Sequence, residues 1–349
     1  MATPPTSELS TDSLADLAHE EQAIHGGPIT AQGPWRIAAR RLRRNKVALG
    51  FLGLFFVVVA ISLAAPLWAN HVAGTGPLET HEVDKVTVDG KKKDVVTPEG
   101  VPIGPTYTGH YFLGADDNGR DTAVRLLYGG RNSLLIGISA ALITAFLSVI
   151  FGVLAGFFGG WSDTVISRSL DVIWAYPVIL LGVALGTALS LGGLHIGPLK
   201  LEGDSKVIPI LIIAVVYIPY MARPLRGQVL SLREKEFVEA AEAQGAGSLK
   251  IMFSEIAPNL TSTIIVFLPL MVANAILLEA ALSFVGAGVR QPQPSWGTMI
   301  SEGVQTITSA PHLTIVPGLM LVITVLSLNV FGDGVRDALD PRAKIRVEH

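Results

Sequence analysis

Few side chains in this sequence could carry out catalysis, and none of them has the partners that a reaction needs. The run G-x-x-x-x-G-K-[ST], whose backbone cradles nucleotide phosphates, does not occur in the sequence. His19-Glu20 and His81-Glu82 lack the second histidine of a zinc-binding H-E-x-x-H helix. Ser162 follows Gly160-Trp161, but no histidine is placed to activate its hydroxyl. We therefore predict no catalytic residue, no metal ligand and no cofactor for this chain.

A polar stretch, EFVEAAEAQGAGSLKIMFSEIAPN, residues 236–259, is the other group with a distinctive pattern. Ser231 and Glu234 fit a capping box, which predicts a helix from there through Ala243. Gly245 suits the left-handed position that ends helices. The stretch therefore begins with a short helix and a glycine turn.

A second short helix is predicted after the turn, with Ser248 as its cap and Pro258 as its stop. Four apolar residues recur in it at i, i+3, i+4 and i+7, so they predict one apolar stripe: Leu249, Met252, Phe253 and Ile256. Such a stripe can enter the hydrophobic groove of a partner, or it can lie on a membrane surface. In the first helix, Ala240 and Ala241 are small enough for close approach, and Glu239 adds a charge.

Apolar stretches surround this polar element and must position it. Half of the 349 residues are hydrophobic and only 16% are charged, whereas soluble domains carry about 25% charged residues. The chain has no cysteine, which excludes disulfides and thiolate chemistry. Crossing a bilayer takes about 20 apolar residues. Six stretches qualify, and the sequence therefore predicts an all-α integral membrane protein with spans at Val47–Ala69, Ser133–Gly159, Val172–Leu194, Val207–Ala222, Thr261–Val285 and Leu313–Phe331.

The distribution of basic residues predicts the orientation. Arg36–Lys46 has six basic residues and no acid directly before the first span, which places it in the cytoplasm. A signal peptide is the alternative reading, but the apolar run is too long for one. Six spans return the carboxyl terminus to the same side. Both termini and the loop 223–260 are therefore predicted to be cytoplasmic.

The spacing in the polar loop resembles a known signature. Glu239-Ala240-Ala241 is followed after three residues by Gly245, and Pro258 comes thirteen residues after that glycine. This resembles the EAA signature of permease subunits in binding-protein-dependent ABC importers. Glu255 and Ala257 depart from the apolar residues usual in the family. The resemblance implies that this loop docks on a cytoplasmic ATPase subunit, which binds ATP and Mg.

Four further segments are similar to the C-type permeases of dipeptide, oligopeptide and nickel importers: residues 110–137, 170–181, 276–300 and 331–342. The resemblance implies the ABC type I importer permease fold in the bacterial inner membrane. It implies as partners a second homologous permease, two ATPase subunits and an extracytoplasmic substrate-binding protein, with no nucleic acid. Short peptides are the expected cargo, with nickel chelates as the alternative. An ion-coupled secondary transporter is less favoured because no inverted repeat is visible.

Glu279 is an acid inside a predicted span, which is costly and suggests function. It could line the translocation path, or it could bond to helix neighbours or to a partner subunit. Its tripeptide Glu279-Ala280-Ala281 repeats the EAA letters but lacks the glycine at the right offset. Glycines at four-residue spacing in the second and third spans, Gly152, Gly156 and Gly160 together with Gly182 and Gly186, predict close helix packing within the bundle or a dimerisation face.

The outer segment 70–132 is predicted to contain two local structures. Asp89-Gly90 predicts the turn of a β-hairpin in a long insert, which is either a small subdomain or disordered. Asp121 or Thr122 predicts the start of an amphipathic helix on the outer face, and the acid spacing there does not fit an EF-hand. The predicted organisation is a disordered cytoplasmic tail 1–35, a basic segment with the first span 36–69, the outer loop 70–132, a core 133–331 that includes the loop 223–260, and a cytoplasmic tail 332–349.

Overall fold

The computed structural model describes residues 34–88, 90–196 and 199–340. Most of the predicted tail 1–35 and the last nine residues of the tail 332–349 lie outside them. The helices are α1 Pro34–Arg44, α2 Lys46–Leu63, α3 Ala65–Trp68, α4 Thr122–Phe158, α5 Gly160–Trp174, α6 Val178–Gly192, α7 Val207–Leu232, α8 Glu236–Ala243, α9 Ser248–Ile251, α10 Ala257–Phe284, α11 Trp296–Val304 and α12 His312–Leu339. Two π-helical turns, Ala69–Ala73 and Met252–Ile256, follow α3 and α9. The strands are β1 Lys85–Val88, β2 Lys91–Asp94, β3 Leu194–Ile196 and β4 Leu199–Leu201.

The described part of the chain has five helices that are long and apolar enough to cross a membrane, and one bent pair that qualifies as a sixth. The five are α2, α4, α7, the continuous helix Ser248–Phe284 and α12. The pair is α5 with α6, whose axes differ by 88°. All six predicted spans therefore have counterparts in the structure.

The third predicted span, Val172–Leu194, is wrong in its shape. The chain leaves α5 at Trp174 and enters α6 at Val178, with Pro177 just before the second helix. Proline lacks an N–H and restricts the residue before it, so a straight helix cannot pass through Tyr176-Pro177 without strain. A bent pair replaces the straight span, and non-helical backbone lies at its bend.

Two ends of the bundle can be distinguished. The end that carries residues 233–256 is called the EAA end, and the end that carries β1 and β2 is called the hairpin end. α4 and α7 both run towards the EAA end, because Thr144 Oγ1 donates to Ala214 O at 3.1 Å and Ser148 Oγ donates to Ile218 O at 3.1 Å. α10 runs the opposite way and packs against α4 and α12.

Glycines bring α4 and α7 into backbone contact. A Cβ atom added to Gly152 would lie 2.9 Å from Leu225 Cβ, and one added to Gly156 would lie 2.7 Å from Val229 Cβ. Gly182 similarly faces Leu282. The prediction of packing within the bundle is confirmed for these glycines.

The outer segment differs from the prediction at its helix. Asp121 caps α4 as predicted, since its Oδ1 accepts bonds from Ala123 N at 2.9 Å and Val124 N at 3.1 Å. The predicted separate amphipathic helix is wrong, because α4 continues from Thr122 for 37 residues into the second span. Gly130 does not break it, since a Cβ there would lie 2.9 Å from Trp296 Cζ2, and this packing holds the helix together.

The predicted hairpin is present in the insert. β1 and β2 pair antiparallel, with Lys85 opposite Asp94, and Gly90 has a φ of 76°. Asp89 lies outside the described residues. Val95, Tyr111 and Ala115 form a small buried core beside the hairpin. The insert is therefore a packed subdomain, which favours the first of its two predicted readings.

Candidate functional site

The first helix of the polar loop, α8, begins later than predicted. The predicted capping box is wrong, because Ser231 lies inside α7 and the ladder continues past it, with Arg233 N donating to Val229 O at 2.9 Å. Lys235, in extended conformation, precedes the first residue of α8. A Ser side chain can cap only where the backbone N–H groups lack helical partners, and here they have them.

The end of α8 is as predicted. Gly245 has a φ of 79° and is in the left-handed conformation. Its N–H donates to Glu242 O at 2.9 Å, and Ala246 N–H donates to Ala241 O at 3.0 Å. These two bonds are the Schellman motif, which requires a left-handed residue at this position. The angle between α8 and the next helix therefore depends on a residue that tolerates positive φ.

The second helix of the loop does not stop at Pro258. α9 passes through the π-helical turn Met252–Ile256 into α10, in whose first turn Pro258 lies. In an α-helix the proline ring clashes with the carbonyl four residues earlier, and the wider π turn relieves this crowding. Ser248 is the first helical residue and not the cap, which is Gly247. The loop is thus rigidly continuous with the fifth span.

The apolar stripe is divided between two sides of this helix. Met252 and Ile256 are buried in the bundle core, whereas Leu249 is 67% exposed and Phe253 is 73% exposed. The prediction of one stripe is therefore wrong, because the core takes one i, i+4 pair and leaves the other pair outside. Sequence periodicity indicates which residues share a helix face but not which of them the bundle covers.

The exposed residues of this loop form one candidate surface, here called the EAA surface and defined by Glu239, Ala240, Gly245, Leu249 and Phe253. Ala241 is half-buried and Pro258 is exposed at its border. The surface presents a carboxylate, a small residue and two large apolar side chains. Arrangements of this kind accept a partner that supplies an apolar groove.

Two residues that the sequence reasoning did not single out anchor the surface. Val238, 1% exposed, buries the inner side of α8 in the main core. Arg233 Nη1 donates to the carbonyls of Gly156 and Phe157, both at 3.3 Å, and so caps the last turn of α4.

Glu279 is fully buried within the chain. Its Oε1 accepts a hydrogen bond from Ser283 Oγ at 2.7 Å, and that hydroxyl also accepts a bond from Val289 N at 2.9 Å. Packing around it involves α4 and α11. These contacts support bonding between helix neighbours, while a role of Glu279 in the translocation path stays a prediction.

A buried charge network at the hairpin end was missed by the sequence reasoning. Arg120 Nε lies 2.7 Å from Asp116 Oδ2, and Arg125 Nη2 lies 2.6 Å from Glu302 Oε2. Arg125 Nε also lies 3.2 Å from Asp116 Oδ2. Burial raises the pKa of the Glu302 carboxyl, and the adjacent guanidinium groups of Arg125 and Arg120 oppose that rise. The network ties the start of α4 to α11.

Metal ligands do not cluster in the described ranges of the chain. No group of three or more His, Asp or Glu residues there could hold a metal ion. Two of the acids at the hairpin end, Asp116 and Glu302, pair with arginines.

The comparisons with known proteins agree with the membrane architecture. Residues 148–345 match the family described as "Binding-protein-dependent transport system inner membrane component", and residues 33–78 match "N-terminal TM domain of oligopeptide transport permease C". The "Dipeptide transport system permease protein DppC" of Alkalihalophilus pseudofirmus is 37% identical over 315 residues, covering 90% of this chain and 92% of the relative.

Two further similarities extend this result. The "Oligopeptide transport system permease protein OppC" of Haemophilus influenzae is 32% identical over 346 residues, covering 97% of this chain and 98% of the relative. A solved structure of the MetNI methionine ABC transporter in an inward-facing conformation aligns with a TM-score of 0.48 and 19% identity, covering 61% of this chain and 95% of its own. The family match spans more than half of this chain, and the relatives match nearly all of it. The chain therefore belongs to the inner-membrane permease components of binding-protein-dependent ABC importers, and it is a multi-pass membrane protein.

Proposed function

We propose that this chain forms half of the translocation path of an ATP-driven importer for short peptides, and that its EAA surface receives the motion of an ATPase subunit. The proposal rests on one observation. Leu249 and Phe253 are exposed on a helix whose other side is anchored in the core. Exposed apolar side chains of this size suit a docking contact. The peptide cargo is inferred from relatives named as dipeptide and oligopeptide permeases.

The route by which motion would reach the spans supports this role. Ser248–Phe284 is one continuous helix, so a displacement of Leu249 or Phe253 is passed directly to the fifth span. Val238 couples α8 to the same core, and Arg233 couples it to the end of α4. A partner that closes below this surface would therefore move several spans together, as alternating access requires.

The proposed assembly contains a second, homologous permease, two ATPase subunits that hold ATP and Mg, and a substrate-binding protein on the opposite side. This chain would contribute transport and no ATPase site of its own. The basic segment Arg36–Lys46, in α1 and at the start of α2, supports a cytoplasmic location of the EAA end. Nickel chelates remain the alternative cargo.

A cross-linking experiment tests the docking, and it is clean because the natural chain has no cysteine. We expect Phe253→Cys, in the assembled importer, to cross-link to an ATPase subunit with a short thiol reagent. Val83→Cys, whose position in the insert is 90% exposed, is the matched control and should not cross-link to it. Labelling of Phe253→Cys in intact cells by a membrane-impermeant reagent would contradict the proposal.

A transport measurement tests the energy source and the cargo. Reconstituted with its partners, the importer should take up dipeptides only while ATP is hydrolysed, and uptake should persist when ion gradients are collapsed. Mass spectrometry of the ligand that co-purifies with the binding protein separates peptides from nickel chelates. Uptake that follows an ion gradient without ATP would refute the assignment.

A further inference from the structure

A cavity of about 500 Å³ opens beside the break between α5 and α6. Its walls carry four aromatic side chains and one amide: Trp174, Tyr176, Tyr217, Tyr220 and Asn274. Trp174 and Tyr220 stack with an interplanar angle of 4° and ring centroids 6.2 Å apart. Tyr217 hydroxyl donates to Asn274 O at 3.3 Å, which closes the cavity against α10.

The cavity lies near the middle of the bundle. At a rise of 1.5 Å per residue, Tyr217 and Tyr220 are about 15 and about 20 Å along α7, a helix about 39 Å long. Asn274 is about 15 Å from the hairpin-end terminus of α10 by the same measure. The aromatic cavity is therefore far from both ends.

Its chemistry is unsuited to lipid. Non-helical backbone at membrane depth occurs where it is buried in protein or lines a water-filled cavity, and residues 175–177 are such backbone. Towards the EAA end, Arg223 Nη2 donates to Asp171 Oδ1 at 2.7 Å, and its guanidinium carbon lies 4.4 Å from the Trp174 ring centroid. Charged side chains within spans face the interior of an assembly. The face with Trp174, Tyr176 and Tyr220, which are 48, 57 and 42% exposed, adjoins this charged pair and is therefore better suited to water or a solute than to lipid.

We propose that this aromatic cavity is a binding station for the transported solute, a short peptide, on the translocation path. The proposal rests on the proposed transport function and names residues for it. Flat aromatic faces accept apolar side chains of different shapes, and tyrosine hydroxyls can bond to peptide groups. The nearby Asp171 is paired with Arg223 at 2.7 Å and with Arg168 at 3.5 Å, so these charges are engaged with one another beside the cavity. The station is thus suited to peptides of varied sequence.

Accessibility of a single cysteine tests the station in the full importer. Tyr176→Cys should react with a charged, water-soluble thiol reagent in either the nucleotide-free or the ATP-bound state. A liganded binding protein with ATP should slow that labelling severalfold, because a peptide held against the remaining aromatic rings would cover the thiol. Phe146→Cys, on α4 and 66% exposed, is the control in a membrane-spanning helix, and its labelling should not respond to peptide.

Two results would overturn the inference. If Tyr176→Cys is unreactive in every state and cross-links to the second permease, the cavity is an interface between permeases. If Tyr176→Cys reacts but peptide never changes its labelling rate, the cavity contains water but does not bind the solute. Either result leaves the proposed function standing, provided that ATP-dependent uptake and the cross-link at position 253 are observed.

A second variant gives a readout that does not depend on cysteine chemistry. Tyr176→Ala should lower maximal uptake of a phenylalanine-containing dipeptide more than it lowers uptake of glycylglycine, because glycylglycine has no side chain to contact the ring. Equal effects on both peptides would contradict a station that contacts peptide side chains.

Discussion

Gly245 offers the sharpest test of how the EAA surface is built. Its φ is 79°, and no described atom lies within 4 Å of a Cβ added there, so a substitution meets no clash within the chain. The cost is therefore confined to the backbone, and left-handed backbone costs an L-residue about 1–2 kcal/mol. Such an energy changes the ratio of two conformations about 5- to 30-fold.

Substitutions at this position should follow the order of their tolerance for positive φ. We expect ATP-dependent uptake to fall least for Gly245→Asn, more for Gly245→Ala and completely for Gly245→Val, because a β-branched residue is the least tolerated there. The amount of chain in the membrane should stay constant, since Gly245 is exposed and supports no core contact. Uptake into proteoliposomes and an immunoblot of the membrane fraction measure the two quantities.

Gly247 is the matched control for this series. It is also without neighbours within 4 Å among the described atoms, but its φ is −72°, which any residue adopts. Gly247→Ala should therefore transport normally. Full uptake by Gly245→Val would refute the reasoning, and an equal loss in Gly247→Ala would mean that crowding at the partner's surface, not backbone conformation, is what matters.

Other contacts give three further predictions. Gly156→Ala should lower the melting temperature of the purified protein, because overpacking costs about 1–3 kcal/mol, whereas Gly50→Ala, which has open space in α2, should not. Glu302→Ala should cost about 3–5 kcal/mol of unfolding free energy in detergent, since Arg125 would lose its closest buried partner; an unchanged unfolding curve would show that the network adds nothing. Glu279→Gln should keep uptake, because the amide oxygen can still accept the Ser283 bond, and a specific loss of transport with normal stability would instead support a role in the path.

Local sequence patterns were sufficient to predict much of the fold. Runs of about 20 apolar residues located the spans, because an unpaired backbone group in lipid is too costly for anything but a helix or a barrel. The caps at Asp121 and Gly245 and the hairpin turn at Gly90 were correct for a similar reason. Each of these caps and turns depends on the backbone preferences of four or five consecutive residues, which the residue types indicate directly.

The site itself required non-local contacts. Whether Met252 and Ile256 or Leu249 and Phe253 enter the core depends on which side α9 presents to the bundle, and periodicity is the same in both cases. The sequence predicts a helix stop at Pro258, but in the structure the helix continues through a π turn that precedes this proline.

The sequence by itself thus determined the membrane class, the positions of the apolar stretches and the EAA spacing of Glu239, Gly245 and Pro258. Only the tertiary structure decided that α5 and α6 bend at Pro177 beside Tyr217 and Tyr220, and that Arg125 meets Glu302. The physical reason is the range of the forces involved. Helix formation is set by hydrogen bonds between residues four apart, whereas cavities and buried ion pairs are made by side chains far apart in the chain, whose meeting depends on how whole helices pack.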